Sequence, residues 1–467
     1  MRTYTSLRLL SVLLLFAAAC RKNDNTTGVT PITVIVKTTY DTTGGTYAFP
    51  QNGINITLKH TITGATLTQT SDNNGLGIFS NIAAGVYNAQ ASITLKKAQY
   101  ESITGLPLTA DSVVLNASIS NVTLNPLTNN TLTLKLELGT IGDWVIKQIY
   151  YAGSSSSNGA VFRDQFVEIY NNSNKVLYAD SLYITQLYGN NGAFASVDLS
   201  KGYFITNASD ALYKQYDWSK SLGMSPAGDA ANRNYVYAKT IFRVPGTGQQ
   251  HPIQPGESFI IAATAQNHKA PYVGSDGKGV SVKDPTLTID LSHADFEVYL
   301  GDVIPNPLAT DIDNLNVPNM VVVTPANNRD LVLDATGRDA IAIFKTTTSL
   351  PLLMDATTPK GYPQYPDPTA TSISSSTSVY YQLPNSLIID AVQIQSSSST
   401  STYRVARKLI NSLDAGATNV PDGQYTSESS IRKTAKTISG RRILQDTNNS
   451  ANDFDYFPMA QPKGFKD

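Results

Sequence analysis

Few side chains in this sequence have the types and spacing needed for catalysis. Ser292, His293 and Asp295 carry the chemistry of a nucleophile, base and acid triad. They are almost contiguous in an extended run, where neighbouring side chains point to opposite faces, so they cannot form a triad among themselves. The sequence also contains no Gly-x-Ser-x-Gly elbow, no His-Glu-x-x-His motif and no P-loop. A hydrolase would need a site that the fold assembles from distant residues.

Two stretches carry the oxygen ligands that Ca²⁺ prefers. Asp446, Asn448 and Asp453 cluster in "DTNNSAND", and Asp311 and Asp313 lie in "DIDN". Neither stretch has the glycine and glutamate of an EF-hand loop. An Asx-rich turn that satisfies its own backbone explains the same residues, so calcium is the alternative and no other cofactor is expected.

Aromatic residues are a second candidate for binding, because the chain has 25 tyrosines. Tyrosine is enriched in interfaces, but it is equally a good strand former. Tyr362 and Tyr365 lie in the proline-rich "GYPQYPDP", and Tyr380 and Tyr381 are adjacent. These four are the candidate binding residues.

The composition excludes several classes of protein. The 35 Lys and Arg residues balance 36 Asp and Glu, which argues against a nucleic-acid partner. Cys20 is the one cysteine, so the chain can form neither an internal disulfide nor a cysteine-based zinc site. With 41% apolar residues the chain is not disordered by composition, and its 467 residues suggest two or three domains.

The N-terminus has the pattern of an export signal. Arg2 and Arg8 precede a short apolar run at residues 9–16, which is too short to span a bilayer as a stable helix. Three alanines then precede Cys20. This stretch resembles a bacterial lipobox, which implies a signal peptide over residues 1–19 and lipidation of Cys20.

Residues 20–31 are polar and are expected to form a lipidated tether. Two or more acyl chains hold a protein stably on a membrane. We therefore expect an outer-membrane lipoprotein exposed at the cell surface. An ordinary signal peptide cut after Ala19 is the alternative.

Residues 32–139 have the pattern of a small β-sandwich. Residues 32–36 are β-branched, and residues 54–58 alternate apolar and polar side chains, as half-buried strands do. Asp72 begins a turn at "DNNG", where it could cap the backbone or bind a metal. The run through Gly85 and Tyr87 resembles the carboxypeptidase regulatory-like, transthyretin-like domain, which implies two packed sheets and a structural role.

Residues 140–467 resemble a second sandwich. The stretches that carry the resemblance are "VIKQIYYAG", "DQFVEIYNN", "IQPGESFIIA" and "RRILQDTNNSANDF". They are similar to the lamin-tail-like β-sandwich. Because this domain has about half the length that separates the first and last stretches, residues of about 263–385 are expected to be a large insertion or further strands of an enlarged sandwich.

The fold class that follows is all-β, with an Ig-like, transthyretin-like sandwich followed by a larger lamin-tail-like sandwich with long inserted loops. The whole resembles an uncharacterised Bacteroidota lipoprotein family whose members occur beside TonB-dependent receptors. The resemblance implies a non-catalytic accessory or ligand-binding subunit of such a β-barrel receptor. A stand-alone adhesin or glycan-binding protein and a hydrolase with a fold-assembled site are the alternatives.

Overall fold

The regular secondary structure of the described residues is mostly β-strand, which confirms the all-β prediction. The computed structural model describes residues 31–41, 46–105, 112–138, 143–173, 175–226, 228–353, 361–396, 403–438 and 440–466. Cys20, the predicted signal peptide and nearly all of the predicted tether lie outside the described residues.

The N-terminal part contains seven strands and one helix within its described residues. Strands β1 to β7 span Ile32–Tyr40, Asn55–His60, Thr66–Thr70, Leu76–Ile82, Gly85–Lys96, Ser112–Leu124 and Thr131–Leu138, and helix α1 spans Lys97–Thr104. The strands are hydrogen-bonded in the order β3-β2-β5-β6-β7-β1-β4. Strands β6 and β7 pair at two positions, Leu115 with Leu138 and Asn116 with Glu137. This short pairing joins the strands β3-β2-β5-β6 to the strands β7-β1-β4.

Alternating side chains build the core of this part. In β1, Ile32, Val34 and Val36 are buried while the residues between them face outward or are half-buried. The turn predicted at "DNNG" precedes β4. The Asp72 carboxylate accepts hydrogen bonds from the backbone N–H groups of Asn74 and Leu76 at 2.8 and 2.9 Å. Asp72 therefore caps this turn.

The remaining described residues form two large sheets and three small ones. Strands β8 to β16 span Trp144–Tyr150, Phe166–Asn171, Leu177–Tyr178, Tyr183–Leu187, Tyr235–Arg243, Pro252–Ile253, Ser258–Ala262, Tyr272–Val273 and Gly279–Val280. Strands β17 to β26 span Phe296–Glu297, Val321–Thr324, Ala340–Phe344, Gln364–Tyr365, Tyr380–Pro384, Ile388–Gln393, Ser429–Arg432, Thr434–Ile438, Arg441–Leu444 and Phe454–Phe457. Two one-turn helices, α2 and α3, span Ala230–Arg233 and Ser450–Asp453, and short 3-10 helices span Phe194–Ser196, Leu199–Lys201, Trp218–Lys220, Pro285–Leu287 and Asn385–Leu387.

The two large sheets share one hydrophobic core. One sheet has the order β20-β21-β12-β11-β19-β22, with β18 also paired to β12, and the other has the order β17-β14-β9-β8-β23-β26. Ile146 and Ile169 of the second sheet pack in one cluster with Ile184 and Ile343 of the first. Two sheets packed through their inner faces make a β-sandwich.

Both large sheets are also covered on their outer faces. Every residue of β8, β9, β11 and β19 is buried. Successive strand residues point to opposite faces, so Ile343 enters the shared core while Ala342 and Phe344 enter a second cluster. The covering segments are the long connections between strands, which makes these loops part of the folded body.

Residues 263–385 contribute strands to both large sheets. Strand β19 lies between β11 and β22, β18 and β21 pair with β12, and β17 pairs with β14. The sequence leaves two alternatives open for this range, a large insertion or further strands of an enlarged sandwich. The observed pairing is that of further strands.

Candidate functional site

A cleft of about 830 Å³ lies between the N-terminal strands and the second sandwich. One wall is built from β6 and β7. The other comes from the loop that contains Phe194, the segment 207–213, α2 and residues 410–411. The volume falls in the range of small-molecule sites, about 300–1,000 Å³. We take this cleft as the candidate functional site.

Buried hydrogen bonds hold the two walls together. The guanidinium of Arg407 donates from Nη1 to Ser118 Oγ at 2.8 Å and to Asn411 Oδ1 at 3.2 Å. Arg407 is only 5% exposed, and Asn116 Nδ2 contacts the carbonyl of Thr447 across the same junction. Hydrogen bonds from a charged group are stronger than neutral ones, so the junction fixes the width of the cleft.

Charged side chains in the cleft are mostly paired. Arg233 donates through Nη1 to Asp210 Oδ1 at 3.0 Å and through Nε to Asp229 Oδ2 at 3.2 Å. Burial raises the pKa of Glu137, and the positive charges of Lys135 and Arg233 oppose that shift. The cleft therefore offers hydrogen-bonding groups of both signs and carries no large excess charge.

Aromatic side chains stand at one end of the cleft. The rings of Phe194 and Tyr213 meet edge to face with their centroids 6.0 Å apart, and both are partly exposed. Lys214 lies with Nζ 4.7 Å from the Phe194 centroid and donates to the Phe194 carbonyl at 2.8 Å. The two rings are thus held in place and present partly exposed apolar surface beside polar groups.

Two of the four candidate tyrosines lie in a buried aromatic cluster away from the cleft. Tyr380 stacks on Tyr188 with centroids 3.6 Å apart, and Tyr365 packs in the same cluster. Trp218 stacks on Tyr237 at 3.5 Å beside them. The cluster lies on the face of β12 and β21 opposite to the cluster of Ala342 and Phe344.

The other two candidates also pack inside the second sandwich. Tyr381 is 5% exposed and belongs to the opposite cluster, as expected for the neighbour of Tyr380 in a strand. Tyr362 is half-buried, and its hydroxyl lies 2.6 Å from Thr346 Oγ1. None of the four tyrosines lines the cleft, whose described lining includes Phe194 and Tyr213 instead.

Local pattern gave no reason to choose Phe194 and Tyr213. One signal was present: residues 188–234 carry several aromatic side chains but no long alternating run. A long connection of this kind is uncommon in a compact domain unless it has a function.

Asp446 and Asp453 surround a buried arginine. Arg432 Nη1 lies 3.2 Å from Asp446 Oδ1 and 3.6 Å from Asp453 Oδ2. Asp453 also accepts hydrogen bonds from the backbone N–H and hydroxyl of Thr447 at 2.8 and 2.7 Å. Asn448 sits between them with a positive φ of 51°. The cation that these carboxylates contact is thus a guanidinium.

A third carboxylate completes this cluster. Asp390, on β22, accepts from Arg432 Nη2 at 2.6 Å and from the backbone N–H of Ile146 at 2.6 Å. Burial raises the pKa of Asp390, whereas the Arg432 charge lowers it. The cluster links β22 of one large sheet to β8 and β23 of the other.

Ser292, His293 and Asp295 make separate contacts. The Ser292 hydroxyl donates to Asp290 at 2.6 Å, His293 is exposed, and Asp295 accepts from Lys463 Nζ at 2.9 Å. Ser292 and Asp295 thus form these hydrogen bonds with partners outside the three residues.

The described residues include no group of three or more His, Cys, Asp or Glu side chains arranged to hold a metal ion. No helix in the same ranges is long and apolar enough to cross a membrane.

Residues 254–461 match the model of a family described as proteins of unknown function, DUF4876. A crystal structure of a DUF4876 family protein from Bacteroides thetaiotaomicron is similar over 91% of this chain and 95% of that chain, with 23% identity and a TM-score of 0.48. The match to the family model supports the predicted likeness to an uncharacterised family, and the DUF4876 description gives no activity.

Two structures described as candidate adhesins, both from Bacteroides ovatus, are more distant. One is 14% identical with a TM-score of 0.17, over 34% of this chain and 54% of that chain. The other is 12% identical with a TM-score of 0.16, over 64% of this chain and 96% of that chain. Comparison with curated proteins finds no match.

Proposed function

We propose that this protein is a non-catalytic, lipid-anchored subunit at the bacterial outer membrane that binds a ligand for a TonB-dependent receptor. The cleft between the two parts of the chain carries the proposal, because its volume suits a ligand and its walls are held by buried bonds. The lipobox-like sequence at Cys20 supports the anchor, and the resemblance to receptor-associated lipoproteins supports the partner.

The chemistry of the cleft favours a polar ligand with an apolar face. Hydrogen-bonding side chains line both walls, and the Phe194 and Tyr213 rings stand beside them. Polar groups orient a ligand while aromatic surface contributes area. Oligosaccharides and peptides with aromatic or apolar side chains both fit this description.

The anchor and partner are tested together by affinity purification of the natively lipidated protein from gently solubilised outer membranes. Mass spectrometry should identify a stoichiometric β-barrel receptor. Cys20→Ser is the matched control, because it should release the protein from the membrane fraction without altering the described fold. Recovery of the intact, membrane-bound protein with no receptor would refute the accessory role.

A stand-alone glycan-binding protein is the second candidate, and the Phe194 and Tyr213 pair favours it. Binding of purified protein to a glycan array, lost in Phe194→Ala and retained in Tyr380→Phe, would support it. Hydrolysis of a bound glycan would instead revive the third alternative. Glu137 is then the carboxyl to test, because Asp210 and Asp229 already accept hydrogen bonds from Arg233.

A further inference from the structure

Two buried aspartates, Asp311 and Asp330, lie outside the cleft on hydrogen-bonded segments, and neither forms an ion pair with a described side chain. Asp330 is 0% and Asp311 is 2% exposed. The Asp311 Oδ2 atom accepts from the backbone N–H of Leu300 at 2.9 Å. Asp311 Oδ1 and both carboxylate oxygens of Asp330 make no hydrogen bond of normal geometry. Most buried polar atoms have a partner, so three bare carboxylate oxygens require an explanation.

The backbone holds the two aspartates together. The segments 306–311 and 328–331 are joined by the Leu308 N–H, which donates to the Arg329 carbonyl at 3.0 Å. The Arg329 side chain donates hydrogen bonds to the carbonyls of Asn306 and Pro307 at 2.6 and 3.0 Å. The segments that carry Asp311 and Asp330 are thus held together by the fold.

The electrostatic surroundings are unfavourable for two bare carboxylates. Burial raises the pKa of Asp311 to about 7 and that of Asp330 well above its usual value, and the Asp311 charge raises the latter further. Glu297 adds a like charge nearby, while the Leu331 N–H and the charge of Arg163 offset the effect on Asp330 only in part. No described Lys, Arg or His side chain lies within 4.0 Å of either carboxylate.

We propose that Asp311 and Asp330 bind a divalent cation, with Ca²⁺ as the ion that fits best. Their free oxygens are hard ligands, which select Ca²⁺, Mg²⁺ or Mn²⁺ over metals that prefer nitrogen and sulfur. Ca²⁺ accepts six to eight oxygens in flexible geometry, whereas Mg²⁺ requires a near-ideal octahedron. Two carboxylates on irregular segments, completed by carbonyl or water oxygens, suit the less demanding ion.

The proposed ion would stabilise the part of the second sandwich that carries β17 and β18. The Asp311 segment packs beside β17, since Leu300 follows that strand, and the Asp330 segment follows β18. The ion would replace like-charge repulsion by attraction at this edge. The role is structural and independent of the cleft.

The test uses the purified full chain after removal of metals with EDTA. Isothermal titration calorimetry should show one Ca²⁺ bound per chain. Ca²⁺ at about 1 mM, the concentration at which weak extracellular sites fill, should raise the melting temperature, by about 3 °C if the ion is in roughly 100-fold excess over Kd. Mg²⁺ at the same concentration should have a smaller effect.

Asp330→Asn separates binding from folding. The amide keeps the shape and removes the repulsion, so the metal-free variant should fold and match or exceed the metal-free wild type in melting temperature. Its response to Ca²⁺ should be lost. Asp302→Asn is the matched control, because Asp302 is exposed on the same loop and its removal should leave the response intact.

Two outcomes would overturn the proposal. One is the absence of Ca²⁺ binding to the metal-free wild type, which would mean that the two carboxyls share protons instead. The other is an unchanged Ca²⁺ response in Asp330→Asn, which would place the ion elsewhere.

Discussion

Replacing Arg432 by methionine tests how the two large sheets are joined. The Arg432 side chain is 2% exposed and contacts Asp390, Asp446 and Asp453. Its Nε also donates to the Ile146 carbonyl at 2.9 Å. Methionine keeps much of the apolar stem and removes every one of these contacts. The substitution leaves three buried carboxylates without their cation.

The expected loss of stability follows from this burial. Breaking a buried ion pair by removing one partner costs about 3–5 kcal/mol, because the remaining charge stays desolvated. Here three carboxylates lose the same guanidinium, so the unfolding free energy at neutral pH should fall by at least about 3 kcal/mol. The pKa of Asp390 and that of Asp453, which burial already raises, should rise further in the variant, and part of the loss should therefore be recovered as the pH falls.

Tryptophan fluorescence during urea unfolding measures this effect directly. The chain contains two tryptophans, Trp144 and Trp218, and both are buried in the second sandwich. The signal therefore reports on the part of the chain that holds Arg432. Lys436→Met is the control, since Lys436 is exposed and its loss should change stability by less than about 0.5 kcal/mol. A loss below about 1 kcal/mol in Arg432→Met would refute the reasoning.

Three further predictions concern single positions. Gly153→Ala should lower the unfolding free energy, measured with urea, more than Gly277→Ala does. Both glycines have positive φ, but a Cβ on Gly153 would lie 1.9 Å from the Val161 carbonyl oxygen, whereas one on Gly277 meets nothing within 4 Å. Equal losses would contradict this prediction. Burial raises the pKa of Asp164 from 3.8 to about 7, so the folded state holds the Asp164 proton more tightly than the unfolded state does. The unfolding free energy should therefore fall by up to about 4 kcal/mol as the pH rises between these two pKa values. Asp164→Asn should flatten that part of the stability profile measured at a series of pH values, and an unchanged slope would show that Asp164 does not cause it. Tyr380→Ala should lower the unfolding free energy by about 3–5 kcal/mol without changing what the purified protein binds. Altered binding in a folded variant would show that Tyr380 belongs to the binding surface.

The strands were the most predictable part of the molecule. Residues 32–36 are β-branched, residues 54–58 alternate apolar and polar side chains, and the two runs lie in or next to β1 and β2. Where a sheet is covered on both faces the alternation fails, as in β8. This strand buries Lys147 against Glu168 with Nζ and Oε1 2.8 Å apart. Short-range pattern thus identifies a half-buried strand more readily than a fully buried one.

The sites depended on contacts between residues that are distant in the chain. The stretch with Asp446 and Asp453 can be recognised in the sequence by its Asp and Asn residues, but the arginine that it surrounds lies upstream, and Asp390 is farther still. No local spacing relates these residues. The calcium interpretation of this stretch stays a prediction that Asp446→Asn and metal titration can test.

The cleft could not be predicted because its walls come from separate parts of the chain. Ser118 and Glu137 lie on one wall, and Phe194, Tyr213 and Arg233 lie on the other. Each residue alone is ordinary for a loop or strand. Hydrogen bonds of Arg407 and Asn116 across the junction hold the walls together.

Blocking the cleft is the most direct test of the proposed function. Ala208 lines the cleft and is exposed, so Ala208→Trp should fill the cleft without disturbing the core. Ala65→Trp, at an exposed turn of the N-terminal part, is the matched control. Both variants are purified with their lipid anchor from outer membranes, and the bound material is compared with that of the wild type. We predict that Ala208→Trp loses the bound ligand while Ala65→Trp retains it. Equal recovery with both variants would contradict the cleft as the binding site.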